Sequence, residues 1–293
     1  MNTGGYISER SKLTEEALDR LVPGQVTLPV TIHQAMRYSL FAGGKRIRPV
    51  LCIAACEAVA GQVEGIESVA ATLEMIHTYS LIHDDLPALD NDDLRRGRPT
   101  NHKVYGDAMA ILAGDALLTL AFEVLGKLPV DPAIAIQLVA ELATASGTAG
   151  GMIGGQVEDI QGEGQPPTAE LLDRIHRAKT GALLKASVRM GAIYGGATVP
   201  ELKALTQYGE HIGLAFQIVD DVLDVVESSD ALGKTAGKDA AQQKITFPAV
   251  YGLERSKEMA QEELLLAHLA LSCFNETAAP LRAIADLIVH RKA

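Results

Sequence analysis

The run GLAFQIVDDVLDVV, residues 213–226, decides how this chain is read. Gly213, Gln217, Asp220 and Asp224 recur at steps of four, three and four, which on a helix forms one polar stripe along an otherwise apolar rod. Asp220 and Asp224 then point the same way, and two carboxylates about 4 Å apart repel by roughly 4 kcal/mol at an effective dielectric near 20. A solvated acidic face would relieve that repulsion. The apolar neighbours Ile218, Val219, Val222 and Leu223 favour burial against a cation instead.

A second acidic run, HDDLPALDNDD at residues 83–93, follows the apolar stretch 73–82. On an unbroken helix Asp84 and Asp90 would diverge by about 120°. Pro87 removes a backbone donor between them, so a bulge is expected to turn Asp90 back beside Asp84. Two such clusters facing each other would form a hard, all-oxygen site suited to Mg²⁺ that also takes phosphate oxygens. The rival metal reading is a di-iron bundle, since Glu74 and His77 form a Glu-x-x-His pair, but that site uses two pairs and no second one occurs. His77 is equally readable as an ordinary half-buried histidine.

Outside these runs, aromatic residues make up 4% of the chain, Trp is absent, and Ala, Leu, Glu and Gln recur at helical spacings. No alternating strand is found. A capped helix is expected from Thr14 to Val22, ended by Pro23, and others over 31–42, stopped by Gly43 and Gly44, and over 49–60, begun by Pro49. Amphipathic runs cover 66–85, 108–125, 132–156, 168–194, 200–226 and 248–290, the last with breaks near Cys273 and Pro280. The weakest joints, 162–167 and 228–238, read as loops, so residues 1–293 are taken as a single all-α domain.

With 293 residues, 47% hydrophobic and 22% charged, the chain can build a large core, and disorder is excluded. A net charge of −11 repels nucleic acid and anionic lipid. Cys52, Cys56 and Cys273 offer neither a disulfide framework nor a metal knuckle and read as three buried, reduced thiols. Glu9 and Arg10 precede any apolar stretch, and the long uncharged segment 142–157 is too short and polar for a bilayer span. A cytoplasmic location and no stable membrane insertion are expected.

Cations gather where phosphate would need them. GGKRIRP, residues 43–49, sets Lys45, Arg46 and Arg48 around a glycine turn; Arg95, Arg96 and Arg98 follow the first acidic run; Lys179 lies in an apolar helix; GKTAGKD, residues 233–239, follows the second. That last segment lacks the spacing and preceding strand of a nucleotide-binding P-loop. Together these groups imply two separate polyanion sites.

In order and spacing, GGKRIRP at 43, DDLPALD at 84 with RRGRPT after it, GGQVED at 154, KTG at 179, FQIVDDVLD at 216, GKTAGKD at 233 and KITFP at 244 resemble the trans-isoprenyl diphosphate synthase family. The DDxxxxD form is most similar to that of bacterial farnesyl diphosphate synthases and plant-type geranylgeranyl synthases. The resemblance implies the isoprenoid synthase fold, with antiparallel helices around a central cavity, a homodimer, and three Mg²⁺ ions for which Mn²⁺ can substitute. It implies a prenyltransferase that condenses isopentenyl diphosphate with dimethylallyl or geranyl diphosphate to give farnesyl diphosphate, with geranylgeranyl diphosphate as the alternative product. By motif position Asp84, Asp90 and Asp220 would bind metal, with Asp85, Asp221, Asp224 and Asp239 in support. Arg95, Lys179, Lys234 and Lys244 would hold the allylic diphosphate, and Gly44, Lys45, Arg48, His77 and Arg96 the isopentenyl diphosphate. Thr180 and Gln217 would place oxygen dipoles near the carbocation, and the released diphosphate would take the final proton. A terpene cyclase or a non-catalytic partner subunit is disfavoured by the intact GGKRIRP and both acidic motifs.

Product length turns on Tyr79 and Ser80, the fifth and fourth residues before Asp84. On an ideal helix Ser80 lies nearly under Asp84 and is the better wall. In the resembling family an aromatic at the fifth position caps the cavity at C15, which favours Tyr79, and a core tyrosine fits the helix almost as well.

Overall fold

A computed structural model describes residues 2–226 and 245–291. The fold is all-α as expected, except for a two-residue antiparallel pair, β1 (Leu94–Arg95) and β2 (Arg98–Pro99). That pair corrects the expectation of no strand. Arg96 and Gly97 between the strands have φ of 53° and 72°, the doubly left-handed turn whose twist suits paired strands. Its residues are too basic to show an apolar alternation.

The chain gathers into two compact units, one made of Gly4–Val50 and Glu64–Val139, the other of Met1–Thr3, Leu51–Val63 and Ala140–Ala293. The former carries the first acidic run. It holds most of α1 (Thr3–Leu21), α2 (Val30–Leu40), the start of α3 (Ile47–Ala60), α4 (Ile66–Asp84), the strand pair, α5 (Asn101–Tyr105), α6 (Asp107–Gly126) and the start of α7 (Pro132–Ser146). Helix α1 begins well before Thr14, which is no cap: it is buried mid-helix and its hydroxyl donates to the Arg10 carbonyl at 3.0 Å. Helix α4 is buried nearly all round and packs along α6, with Val69, Leu73, Ile76 and Ile82 in the core. Among the described helices α6 is apolar and long enough to cross a membrane. It packs on α2 and α4 through Ala110, Ala113, Leu117 and Ala121, and leaves Ile111 and Leu112 exposed.

The other unit contains α8 (Met152–Gly162), α9 (Ala169–His176), a π-helical turn (Arg177–Gly181), α10 (Ala182–Tyr194), α11 (Val199–Val226), α12 (Phe247–Tyr251), α13 (Leu253–Ala270), a 3₁₀ turn (Glu276–Ala278) and α14 (Ala279–His290). Three stretches read as single runs are thus divided. The break between α7 and α8 passes through Gly150 at φ 70°, that between α12 and α13 through Gly252 at φ 80°, and the π-turn interrupts 168–194. Helix α11 packs against α10, α13 and α14, and the buried Tyr208 hydroxyl donates to the Leu281 carbonyl at 2.7 Å. Cys52 and Cys56 are buried, and burial pushes the Cys56 thiol up to about 12. Cys273 is exposed, against expectation, because it lies in the turn after α13.

Candidate active site

In the first-motif unit α4 stops at Asp84 instead of bulging at Pro87. The loop closes on itself: the Asp90 N–H donates to the Asp84 carbonyl at 2.8 Å, and those of Asn91 and Asp92 to Leu86 and Asp85 at 3.1 and 3.2 Å. Asp90 therefore returns to Asp84 as expected, by a different route. Asp85 is buried and accepts from Arg95 in a fork, Nε to both carboxylate oxygens at 2.8 and 2.9 Å and Nη2 to Oδ1 at 2.6 Å. Burial raises the Asp85 carboxyl above its ordinary range while Arg95 pulls it down. Asp85 and Arg95 thus hold each other, whereas the motif reading placed one with metal and the other with the primer.

The basic turn closes on the same unit. Gly44 has φ 136°, and a Cβ there would lie 2.7 Å from Nη1 of Arg96, so only glycine lets that guanidinium rest against the backbone. His77 is half-buried. Burial, then the charges of Arg48, Arg96, Arg95 and Arg46, hold its imidazole well below its ordinary value. A neutral imidazole ringed by guanidiniums suits a diphosphate, which accepts from both. Lys45 is exposed next to this turn.

Tyr79 is buried, edge-to-face on His83 with centroids 5.8 Å apart, and its hydroxyl has no hydrogen-bond partner among the described residues. Burial, then Asp84, pushes the phenol up to about 12, so it stays neutral. The Ser80 hydroxyl donates to the His77 carbonyl at 2.9 Å, turned into its own helix.

In the second-motif unit Lys179 and Thr180 lie on the π-turn, a deformation often found at functional sites. Lys179 Nζ donates to Asp159 Oδ2 at 2.6 Å. Asp159 ends the GGQVED run, so its motif was visible, but spacing gave it no role. Gln217 Nε2 donates to Asp221 Oδ1 at 3.0 Å. Asp221 is buried; its Oδ2 accepts from the Phe247 N–H at 2.9 Å and lies 3.3 Å from His176 Nε2. It anchors the start of α12. Asp224 is also buried and Asp220 half-exposed, so the stripe is not a fully solvated acidic face. The Arg291 guanidinium lies 4.1 Å over the Phe216 ring and donates to Asp220 Oδ1 at 2.5 Å, a partner nothing in the sequence pattern signalled. Lys234, Lys244 and Asp239 lie outside the described residues.

Among the described residues no three His, Cys, Asp or Glu side chains converge as a metal-holding set. The donor chemistry still fits Mg²⁺, because the acidic-motif side chains are carboxylates and each unit already draws a cation onto one of them, Arg95 onto Asp85 and Arg291 onto Asp220.

The profile of the family described as "Polyprenyl synthetase" matches residues 29–284. The chain belongs to the polyprenyl synthetase family. It is 51% identical to the heterodimeric geranylgeranyl pyrophosphate synthase large subunit 1, chloroplastic, of Arabidopsis thaliana, over 98% of this chain and 79% of that one. It is 47% identical to the geranylgeranyl diphosphate synthase of Cyanophora paradoxa, over 98% and 95%. Among solved structures an FPP/GFPP synthase from Zymomonas mobilis superposes with a TM-score of 0.86 at 38% identity, over 98% and 99%. The protein is therefore a short-chain prenyl diphosphate synthase, a transferase acting on isoprenyl diphosphates, with the all-α isoprenoid synthase fold. The cited relatives at 47–51% identity are named as geranylgeranyl synthases, which backs the alternative product better than the expected likeness to bacterial farnesyl synthases.

Proposed function

We propose that this polyprenyl synthetase makes geranylgeranyl diphosphate by successive addition of isopentenyl diphosphate to an allylic primer. The observation that carries the C20 product is identity of 47–51% with geranylgeranyl synthases over nearly the whole chain. In each cycle the primer's allylic C–O bond ionises, the double bond of isopentenyl diphosphate attacks the cation, and a proton and diphosphate leave. Asp84, Asp90 and Asp220 would hold Mg²⁺, which when bound neutralises the departing diphosphate. Lys179, kept in place by Asp159, and Arg95, kept by Asp85, would hold the primer's diphosphate, with Thr180 and Gln217 lining the dry side. Gly44, Lys45, Arg48, His77 and Arg96 would bind isopentenyl diphosphate without metal. We also take residues 1–293 as one domain, because the family match runs through both units. A cytoplasmic location is part of the same proposal.

Product analysis after incubation with isopentenyl diphosphate and dimethylallyl diphosphate tests the chain length; a C20 main product is expected. One observation favours C15 instead, the buried aromatic Tyr79 at the fifth position before Asp84. If C15 predominates and Tyr79→Ala moves the product to C20, Tyr79 is the wall and the C20 reading falls. An extra isoprene unit gains up to about 4 kcal/mol by burial of five carbons, so only a steric stop could end growth early.

The metal-free site gives a second expectation. Lys45→Ala, Arg48→Ala or His77→Ala should weaken isopentenyl diphosphate by roughly 1.5 to 3 kcal/mol and the primer less, measured by titration of each ligand. A larger loss for the primer would reverse the two assignments.

A homodimer is proposed through the exposed apolar edge of α6, where Ile111 and Leu112 need a cover and a second copy offers the same surface. Sedimentation should show a dimer for the native chain and a monomer for Leu112→Asp; an unchanged dimer in that variant would move the interface elsewhere.

A further inference from the structure

One charged side chain of the GGKRIRP turn is turned away from solvent. Lys45 is exposed, whereas Arg46, next to it, is 3% exposed and sits at φ 48°, a left-handed conformation that an L side chain adopts at a cost. All three of its guanidinium nitrogens are engaged. Nε donates to Glu15 Oε1 at 2.7 Å, Nη1 to Glu74 Oε1 at 2.5 Å and Nη2 to the Leu40 carbonyl at 2.6 Å. These partners lie on α1, on α4 and at the end of α2. Glu74 is 2% exposed and stands one helical turn before His77.

We propose that Arg46, clamped by Glu15, Glu74 and the Leu40 carbonyl, is a positioning residue for the isopentenyl diphosphate pocket, fixing the turn that presents Lys45 and Arg48 relative to His77. The proposal rests on the reading that those three residues bind isopentenyl diphosphate. Two arguments carry it. First, a carboxylate buried within reach of the Arg96 and Arg46 charges opposes anion binding through space, so Glu74 makes sense in this place only if it holds something. Second, a buried ion cluster contributes little to fold stability compared with apolar replacements, so stability alone does not account for three charges here. The geometry does: Gly43 and Gly44 leave the turn before Arg46 pliable, with φ of 88° and 136°, and the fork pins it to the helix that carries His77.

Position and through-space charge predict opposite signs. With Glu74→Gln a purely electrostatic role lowers the KM for isopentenyl diphosphate, because an opposing negative charge is gone. Positioning raises it, by about tenfold, with kcat and the primer's KM within about twofold of native. Arg46→Lys keeps the charge and loses the fork; positioning predicts the same rise, and electrostatics predicts none. Each variant is assayed as the full chain with Mg²⁺, varying one substrate at saturation of the other, with circular dichroism and thermal melting as the fold check and Lys45→Ala as the control. Should Glu74→Gln fail to fold, Arg46→Lys and Glu15→Gln, whose carboxylate is 37% exposed, carry the same comparison. An unchanged or lower KM for isopentenyl diphosphate in the folded variants, or an equal rise for both substrates, overturns the proposal. If Lys45→Ala raises that KM while the clamp variants do not, the clamp alone is wrong. If Lys45→Ala is also flat, the pocket assignment has failed and takes the clamp with it.

Discussion

Asp84→Ala is expected to lower turnover by at least about two orders of magnitude while leaving the fold intact. Asp84 ends α4, and its backbone carbonyl, not its carboxylate, closes the loop to Asp90, so the substitution leaves that hydrogen bond in place. What it removes is one of the carboxylates proposed to gather cationic charge where the allylic diphosphate departs. Ionisation of a carbon–oxygen bond in a dry cavity depends on such stabilisation, and a single preorganised contact of this kind is worth about 3 kcal/mol, or roughly a hundredfold in rate. Asp220→Ala is expected to match it. There the Arg291 guanidinium would lose its carboxylate acceptor and keep the Phe216 carbonyl at 3.2 Å, so a small change in melting temperature is also expected. Single-turnover assays with saturating Mg²⁺, together with metal titration of each variant, separate lost metal affinity from lost chemistry. Near-native turnover in either folded variant would sink the metal assignment, and full activity in the presence of a chelator would do the same.

The acidic stripe of residues 213–226 was legible because helical periodicity places Gln217, Asp220 and Asp224 on one face, and a helix this apolar has nowhere to hide them. What periodicity could not show is how the carboxylates divide their work. Asp221, one residue off the stripe, turns out to accept from the Phe247 N–H, a partner supplied by a helix remote in sequence. The return of Asp90 to Asp84 was foreseen from Pro87, but the mechanism was not: the helix simply ends, and Asn91, at φ 49°, takes the left-handed turn that lets the loop close. The sequence groups Arg46 with Lys45 and Arg48 as one of three cations available to an anion, and gives no sign that the side chain beside exposed Lys45 is sequestered. The π-turn at Arg177–Gly181 left no trace in a hydrophobic pattern either, because one inserted residue shifts the phase of a helix without breaking its apolar run.

That π-turn yields the second large effect, Gly155→Ala. A Cβ at Gly155 would lie 2.2 Å from the Lys179 backbone nitrogen, 2.6 Å from its Cα and 2.8 Å from the Ala178 carbonyl carbon. All three are backbone atoms, so no side chain can rotate away, and α8 would have to part from the π-turn by an ångström or more. The expected cost is about 3 kcal/mol or more, at the upper end for overpacking. The displacement falls on the segment that carries Lys179 and Thr180, and on the Lys179–Asp159 ion pair that spans the same gap at 2.6 Å. Primer affinity should therefore fall along with stability. Gly162→Ala, on the same helix, is the control: its Cβ would meet only side-chain tips of Ile175, Ile245 and Leu171 at 3.5 to 3.6 Å, an ordinary contact. Urea denaturation should place Gly162→Ala within about 1 kcal/mol of native and Gly155→Ala far below it. Equal stability of the two variants would mean that α8 does not approach the π-turn this closely.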